Sequence, residues 1–505
     1  MNQATRDSRA AYSTLSAWIG PALAGLVGAL YYARVRGIGL MGHDSYPLIL
    51  TSRIRGLDDL LGSFTESLMD GRYHGLYHRP LLNLSIALDE GLWGLDPLGY
   101  QLTGAVLFAL TGLALFQAVR RALGGAVPGA LAALLLFLLH ESHLEVVPVP
   151  ARRPELLCAM CGLFGLAAQL HPQRLASRWP IVPALWMVGA AASKEAGYVL
   201  PAVAVVAVLL YAPDETLRAR WGRALRAALV HGLLVGLLLL VRLGALGGLG
   251  GPAAPPPGFE GPGALDLAGT LLGSLLVTPG HAPATWPLWL AAIASLGVLK
   301  AWVLGLRPAQ GGGPAPVTRP ARSALLVGFT WLLLVVAIYG ASSSIEAWYL
   351  LLPVVGLAFL FGAGVELLLL QWRRGGPLAR ASAVSSGLLI LAFGAVQVRY
   401  SPLWTPDDTW ERATAASDEF FRRLGKRCQR AAPGAQVSAP PLPVWVQPPA
   451  SGPGVRGGAV LEAYSVQAWT ELLLPEKSFR VEKGPAGSPP AGDEVVVRLL
   501  RPLPL

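Results

Sequence analysis

Apolar residues come in long, almost unbroken runs from residue 15 to residue 398, and the short stretches between the runs carry most of the charge. A helix that crosses a bilayer needs roughly 20 consecutive apolar residues. On that measure the pattern predicts eleven spans, near 15–34, 100–119, 126–147, 154–170, 180–193, 196–211, 227–247, 286–306, 323–341, 347–370 and 381–398. The first run has no small-residue cleavage site, so it predicts an uncleaved span rather than a signal peptide.

The connecting loops set the orientation, because short cytoplasmic loops are enriched in Lys and Arg. Arg120 and Arg121 follow the second span, Arg174 and Arg178 the fourth, and Arg218, Arg220, Arg223 and Arg226 the sixth. Arg307, Arg319 and Arg322 lie between the eighth and ninth spans, and Arg373, Arg374 and Arg380 after the tenth. All these loops fall on one side if 265–280, short and interrupted by Gly and Pro, lies in the interface or re-enters rather than crossing. The loop 248–264, rich in Gly and Pro and almost uncharged, is then external. The amino terminus is expected inside and the carboxyl terminus outside. The polar clusters at 43–98, 140–155, 194–195 and 342–353 all fall on the outer side.

Two segments break the alternation. Residues 38–98 form a long external loop, in which LLNLSIALDEGLWGL (81–95) reads as an amphipathic interfacial helix carrying Asp89 and Glu90. Beyond residue 399, TWERATAASDEFFRRLGKRCQRA (409–431) reads as a soluble amphipathic helix. A Pro-rich stretch (433–453) follows, then β-like runs GAVLEAYSV (458–466) and DEVVVRLL (493–500). The expected fold class is an all-α polytopic membrane protein of about eleven helices, residues 1–399, with a small external α+β appendage, residues 400–505.

Composition agrees. The 505 residues are 53% hydrophobic and 14% charged, against about 25% charged in soluble domains. The net charge of +10 then reads as a topology signal, with no nucleic-acid partner expected. Cys158 and Cys161 lie in an apolar run and read as small core or lipid-facing residues, and Cys428 is the single cysteine of the tail. Heavy use of Gly, Ala, Arg and Pro points to a GC-rich bacterial genome, hence an inner membrane with the site and the carboxyl terminus on the periplasmic side.

Ionisable groups at a membrane edge are costly, and they usually face a cavity where they bind or react. FLLHESHLEVVPVPARRPELL (137–157) brings His140, His143, Glu145, Arg152, Arg153 and Glu155 to such an edge. The i, i+3, i+5 spacing of His140, His143 and Glu145 does not put three ligands on one helix face, so no metal is expected. Binding of a sugar phosphate by His and Arg donors fits better. Asp44, just beyond the first span, reads as a general base for an acceptor hydroxyl, as a helix cap or as a solvated loop carboxylate. Asp58 and Asp59 are a second carboxylate pair, at what reads as the start of an amphipathic helix. Arg79, in Tyr77-His78-Arg79-Pro80, can fork onto a phosphate or anchor at the headgroups. Lys194 and Glu195 end the fifth span as a cavity wall or a tight loop, and Glu346 and Tyr349 enter the tenth. Together these clusters describe one external cavity suited to an anionic lipid headgroup that carries something hydrophilic.

At these residues the chain resembles the GT-C superfamily of membrane glycosyltransferases, and within it the O-mannosyltransferase-like group of TMTC type. The residues that carry the likeness are Arg79-Pro80-Leu81 with GLDPLGYQLT (94–103), then His140, His143 and Glu145 with Arg153, Glu155 and Leu156, then Lys194-Glu195, then EAWYLLLPVVG (346–356). The likeness covers about residues 15–370. Three positions depart from the group's pattern: His43 stands for one of its two aspartates, Glu141 for a proline and Trp348 for an arginine. Residues 400–505 show no repeat of 34 or 40 residues, so the group's TPR repeats are not expected within them.

The resemblance implies a GT-C-type fold and an inverting transfer of a mannose-like sugar from a polyprenyl-phosphate donor to a protein, lipid or glycan acceptor. Asp44 would take the acceptor proton. Arg153, with Arg79, Lys194 and His143, would stabilise the leaving phosphate, and His140 would be a further substrate-binding residue. Glu145, Glu155 and Glu195 would position the cations or bind sugar hydroxyls, and Tyr349 would line the site. No cofactor or metal is implied. The rival class is a transporter or flippase of lipid-linked sugars, which would more often show duplicated halves. A surface-glycan polymerase or ligase would differ mainly in its acceptor.

Overall fold

The computed structural model describes residues 3–71, 76–175, 179–213, 216–251, 263–276, 319–341, 346–374, 377–399, 401, 403–404, 409–431, 436–438, 461–474, 479–483 and 495–499. The expected span 286–306 lies outside the described residues, as does the Pro-rich stretch 433–453 apart from Gln436–Ser438. The described chain is mostly helical. Four helices are long and apolar enough to cross a membrane by length and composition: Pro97–Ala122, Leu217–Leu246, Arg319–Gly340 and Trp348–Arg373. Val127–Leu139, Arg153–Gln169, Ile181–Ser193 and Leu200–Tyr211 are shorter apolar helices packed among them.

Helix ends follow local chemistry. Pro97 opens its helix where its missing N–H costs nothing, and Asp96 caps it by accepting from the Leu98 N–H at 3.0 Å. Thr216 caps Leu217–Leu246, which ends at Gly247 in a left-handed turn with φ 65°. Inside the bundle, Gly129 and Gly362 bring two backbones too close for any side chain between them.

The bundle has two chemically different ends. The first helix, Gln3–Val35, runs antiparallel to Pro97–Ala122, with Gly28 against Ala109 and Gly20 against Phe116. Arg153–Gln169 is likewise antiparallel to Ile181–Ser193, since Gly165 meets Pro183 and Met187 while Cys161 meets Gly189. Leu200–Tyr211 then returns: Leu200 lies beside Gly162, and the Tyr211 hydroxyl donates to the carbonyls of Ala122 and Pro320 at 2.9 and 3.2 Å. The segments 180–193 and 196–211 are therefore two antiparallel helices and not one bent helix. At the Ala122 end lie Arg121, bonded to the Ala167 carbonyl, and Arg319, bonded to that of Leu210. Asp44, Arg79, Arg152, Glu155 and Lys194 gather at the other end.

Ala264–Leu276 stays at this second end. Its start packs on Gly340, and the Leu275 carbonyl lies 3.5 Å from His140 Nε2. Two further short helices sit here, Leu57–Thr65 and Pro80–Trp93, both with leucines turned outward. Asp59 accepts from the Arg55 and Gly56 N–H groups and so starts the first of them. Asp89 does not face outward as an amphipathic interfacial helix would place it. Its side chain is buried against Arg153, while Leu88 and Leu92 are exposed. Along Leu217–Leu246 the exposed residues Leu225, Leu229, Leu233, Leu237 and Leu240 form a stripe of a kind that faces hydrocarbon.

The carboxyl-terminal unit is α+β. Helices Thr409–Arg430 and Ala463–Leu473 pack through Phe421 and Trp469, whose rings stack 4.6 Å apart. Three strands form one sheet, with Val495–Leu499 in the centre, antiparallel to Gln436–Ser438 and to Phe479–Lys483; Val497 pairs with Val437 on one side and Val481 on the other. The β-like run at 458–466 is helical from Ala463, because Ser465 and Glu462 form a reciprocal cap that starts a helix there. This unit docks on the polar end of the bundle. Helix Ala463–Leu473 packs on Ser45–Thr51, Tyr46 meets Phe421 edge-on at 5.3 Å, and Arg34 pairs with Glu411.

Candidate active site

A cavity of about 130 Å³ opens at the polar end, lined by the charged side chains of Asp44, Arg79, Arg152, Glu155 and Lys194 and by His43, Tyr77, Trp348 and Tyr349. Five different helix ends and turns supply them, each where an apolar run stops and a polar turn begins.

Each cation is held by its own carboxylate. Arg79 forks onto Glu195, with Nη2–Oε2 at 2.7 Å and Nε–Oε1 at 3.3 Å. Arg242, from the far end of Leu217–Leu246, reaches the same Glu195 at 3.2 Å and also donates to the His78 carbonyl at 3.3 Å. Lys194 pairs with Glu155, whose second oxygen accepts from the Tyr339 hydroxyl at 2.8 Å. The Lys194 ammonium also lies 4.6 Å from the Tyr349 ring centre, and Tyr349 stacks on Tyr339 at 4.7 Å. Arg152 donates to the Glu145 carboxylate and carbonyl, both at 2.7 Å, and its guanidinium sits 3.8 Å over Trp348 and 5.4 Å from Trp410.

Asp44 is held differently. It opens helix Ser45–Thr51, yet its side chain makes no capping bond. One oxygen accepts from the Tyr464 hydroxyl at 2.9 Å, and the other lies 3.5 Å from His43 Nε2. Its side chain is therefore not used as a helix cap, and it remains a partly solvated carboxylate. The Asp44 carboxylate is about one-third exposed at 34%, against 1% for Glu155.

The polar turns around the cavity are desolvated. Burial pulls Arg152 below its ordinary value, and Glu145 opposes that. For Arg79 burial acts in the same direction, but the charge and hydrogen bond of Glu195, with Tyr77 and Tyr349, together outweigh it and the guanidinium ends above its ordinary value. Burial raises the Tyr77 phenol. It lowers His78, whose Nε2 donates to the Phe64 carbonyl at 2.7 Å.

The sequence-derived candidates separate into two groups. Asp44, Arg79, Glu155, Lys194 and Tyr349 line one cavity, and Glu145 and Glu195 back its arginines. Arg153 is placed elsewhere. It is 2% exposed, bonds Asp89 at 2.6 Å and Ser85 Oγ at 2.9 Å, and does not line the cavity; its neighbour Arg152 does. The turn Pro150–Arg152 leads straight into helix Arg153–Gln169, so consecutive arginines point to different surroundings.

His140 and His143 are fully buried and also lie outside the lining. His143 packs against Phe108 and Phe137 and bonds the Phe137 carbonyl, and His140 bonds Ser142. Glu145 is turned to Arg152, so the three do not converge. Asp59 serves its own helix start.

Sequence reading passed over Arg242, Tyr339, Trp410 and Tyr464, and placed Asp89 on an interfacial helix without its Arg153 partner. Only Arg242 carried a signal, as a lone charge in a long apolar run.

No family model matches the chain. A curated relative, protein O-mannosyl-transferase Tmtc1 of Drosophila melanogaster, is 29% identical over 153 residues, which is 28% of this chain; the match spans 18% of that relative's length. Among solved structures, the chain is similar to ArnT from Cupriavidus metallidurans bound to undecaprenyl phosphate, with TM-score 0.48, 15% identity and coverage of 94% of this chain and 96% of that one. It is also similar to the archaeal oligosaccharyltransferase AglB from Archaeoglobus fulgidus, in complex with an inhibitory peptide and a dolichol-phosphate, with TM-score 0.46, 11% identity and coverage of 92% and 63%.

Proposed function

We propose that the protein is a GT-C-type glycosyltransferase that moves a mannose-like sugar from a polyprenyl-phosphate donor to an acceptor hydroxyl. One observation carries this reading. A carboxylate held by a tyrosine and a histidine, Asp44, shares a single cavity with three cations, Arg79, Arg152 and Lys194, each already oriented by a carboxylate of its own. That is the set of charges an inverting transfer from a phosphate leaving group requires.

In this reading Asp44 takes the proton as the acceptor oxygen attacks the anomeric carbon. The bond from that carbon to the phosphate oxygen breaks, and the lipid phosphate leaves with the electron pair. Arg79, Arg152 and Lys194 stabilise the charge that develops on it. Glu145, Glu155 and Glu195 fix the cations beforehand, so little reorganisation is needed during the reaction. The Tyr349 and Trp348 rings form an apolar wall beside the sugar. Arg153 supports the site through Asp89 and does not touch the phosphate.

The arginine-bearing loops lie at the opposite end of the bundle, which supports a cavity and a carboxyl-terminal unit on the extracytoplasmic side of a bacterial inner membrane. The partial match to an O-mannosyl-transferase supports mannose as the sugar.

The test is transfer of radiolabel from polyprenyl-phosphate-mannose to a membrane extract by purified protein. Asp44→Asn is expected to lose about 10²-fold or more of the rate. Near-normal transfer by folded Asp44→Asn removes the base assignment. No transfer by the wild type from several lipid-linked sugars removes the enzyme reading in favour of transport.

A further inference from the structure

Asp44 lies 420 positions before the residue that holds it. The Tyr464 hydroxyl donates to Asp44 Oδ1 at 2.9 Å, and the next residue, Ser465, donates to the His43 carbonyl at 2.6 Å. The Tyr464 ring also meets the His43 ring edge-on at 6.1 Å. Helix Ala463–Leu473 is thus fastened to the turn that carries Asp44 by two adjacent side chains, one on the backbone and one on the carboxylate itself. Tyr464 is not among the residues that line the cavity, whereas Asp44 and His43 are. Its hydroxyl therefore engages one carboxylate oxygen without occupying the space where an acceptor would enter, and Oδ2 stays beside His43. This short carboxylate at a partly exposed turn makes no capping bond to its own helix, so the Tyr464 hydroxyl on one oxygen and His43 beside the other are what set its rotamer.

We propose that Tyr464 is a positioning residue for the Asp44 carboxylate, which makes the carboxyl-terminal unit a working part of the site. The inference rests on the reading of Asp44 as the proton acceptor. A hydrogen bond to a charged group is worth enough to fix the carboxylate rotamer, and its loss costs about tenfold in rate.

The experiment compares wild type, Tyr464→Phe, Ser465→Ala and Asp44→Asn in full-length protein. The readout is mannose transfer from undecaprenyl-phosphate-mannose to a fixed, saturating membrane extract, with the donor concentration varied. Tyr464→Phe keeps the ring and its packing. It is expected to lower kcat about tenfold and to leave the donor KM within about twofold. Ser465→Ala removes the neighbouring anchor and the side-chain half of the cap that starts this helix but leaves the Tyr464–Asp44 bond, and is expected to lower the melting temperature while keeping kcat. The double variant Asp44→Asn/Tyr464→Phe is expected to be no slower than Asp44→Asn alone, because the hydroxyl then has no carboxylate to position.

Wild-type kcat in Tyr464→Phe beside a dead Asp44→Asn overturns this inference and leaves the base assignment standing. Equal losses in Tyr464→Phe and Ser465→Ala, or a donor KM that rises in step, also overturn it, since they would show docking alone. Full transfer by Asp44→Asn, or none by the wild type, removes the underlying reading and the inference with it.

Discussion

Arg153 and Asp89 face each other at 2.6 Å with side chains 2% and 1% exposed, and they tie helix Arg153–Gln169 to helix Pro80–Trp93. Removing one partner of such a pair leaves a buried charge uncompensated, which costs about 3–5 kcal/mol. Arg152, one residue earlier, is spent on the cavity. Arg153→Gln is therefore expected to lower the melting temperature in detergent and the yield of folded protein. Arg152→Gln is expected to lower the melting temperature less, because its partner Glu145 is 24% exposed and water can reach it, and to lower mannose transfer about 10²-fold through lost charge stabilisation. Thermal melting and transfer assays on the two variants check this. The reverse pattern would reassign the phosphate contact to Arg153.

That pair also shows where sequence reading reaches and where it stops. The ends of apolar runs are legible, because charge is expelled from the bilayer core and collects there. Asp44, Arg79, Glu155, Lys194 and Tyr349 all sit at such ends, and all line the cavity. Choosing between Arg152 and Arg153 is a matter of which way a turn points into the next helix, and spacing alone does not carry that. His140 and His143 look chemical in sequence, but they pack into the aromatic core with Phe108 and Phe137. Tyr339, Trp410 and Tyr464 escaped notice for another reason. Each is an ordinary aromatic in its own segment, and only folding brings it to Glu155, Arg152 or Asp44.

Glu155 links Lys194 to Tyr339, and its side chain is 1% exposed. It opens helix Arg153–Gln169, while Lys194 closes Ile181–Ser193, so the contact joins two antiparallel helices where they meet the cavity, beside Tyr349, which lines it and stacks on Tyr339. Glu155→Gln keeps the size of the side chain and removes the charge that holds the ammonium. The expected outcome is a donor KM raised about tenfold, because the phosphate-binding cation is no longer fixed, with a further fall in kcat. Tyr339→Phe removes one bond to Glu155 and leaves the ion pair, so its effect is expected to be smaller. Donor titrations on both variants decide the matter. Equal effects would show that the hydroxyl and not the charge fixes Lys194.

Glu195 is shared between two guanidiniums, Arg79 at 2.7 Å and Arg242 at 3.2 Å. Only Arg79 lines the cavity. Arg242 anchors the carboxylate from the lipid-facing helix Leu217–Leu246 and bonds the Leu249 and His78 carbonyls. Glu195→Gln leaves two cations facing each other without their common partner, and is expected to cost stability and transfer together. Arg242→Met keeps the Arg79–Glu195 fork. It is expected to retain transfer within about tenfold while lowering the melting temperature. If Arg242→Met abolished transfer with the fold intact, Arg242 would belong to the donor site.

His78 gives the polar end a pH dependence. It is 1% exposed, and its Nε2 donates to the Phe64 carbonyl, joining the turn before Pro80 to helix Leu57–Thr65. Burial lowers its affinity for a proton below the ordinary value of 6.5. The unfolded chain therefore binds a proton at pH values where the folded protein leaves the ring neutral, and stability must rise with pH across that window. As the pH falls below 6.5, folding loses the difference, and the loss continues until the folded ring is also protonated. The melting temperature is expected to drop between pH 7.5 and pH 5.5, a range chosen about one unit either side of the histidine value. His78→Gln keeps an amide donor for the Phe64 carbonyl and has nothing to titrate there, so its melting temperature is expected to fall less over the same range. A slope equal to that of the wild type would assign the acid sensitivity to other buried groups and leave His78 with a purely structural hydrogen bond.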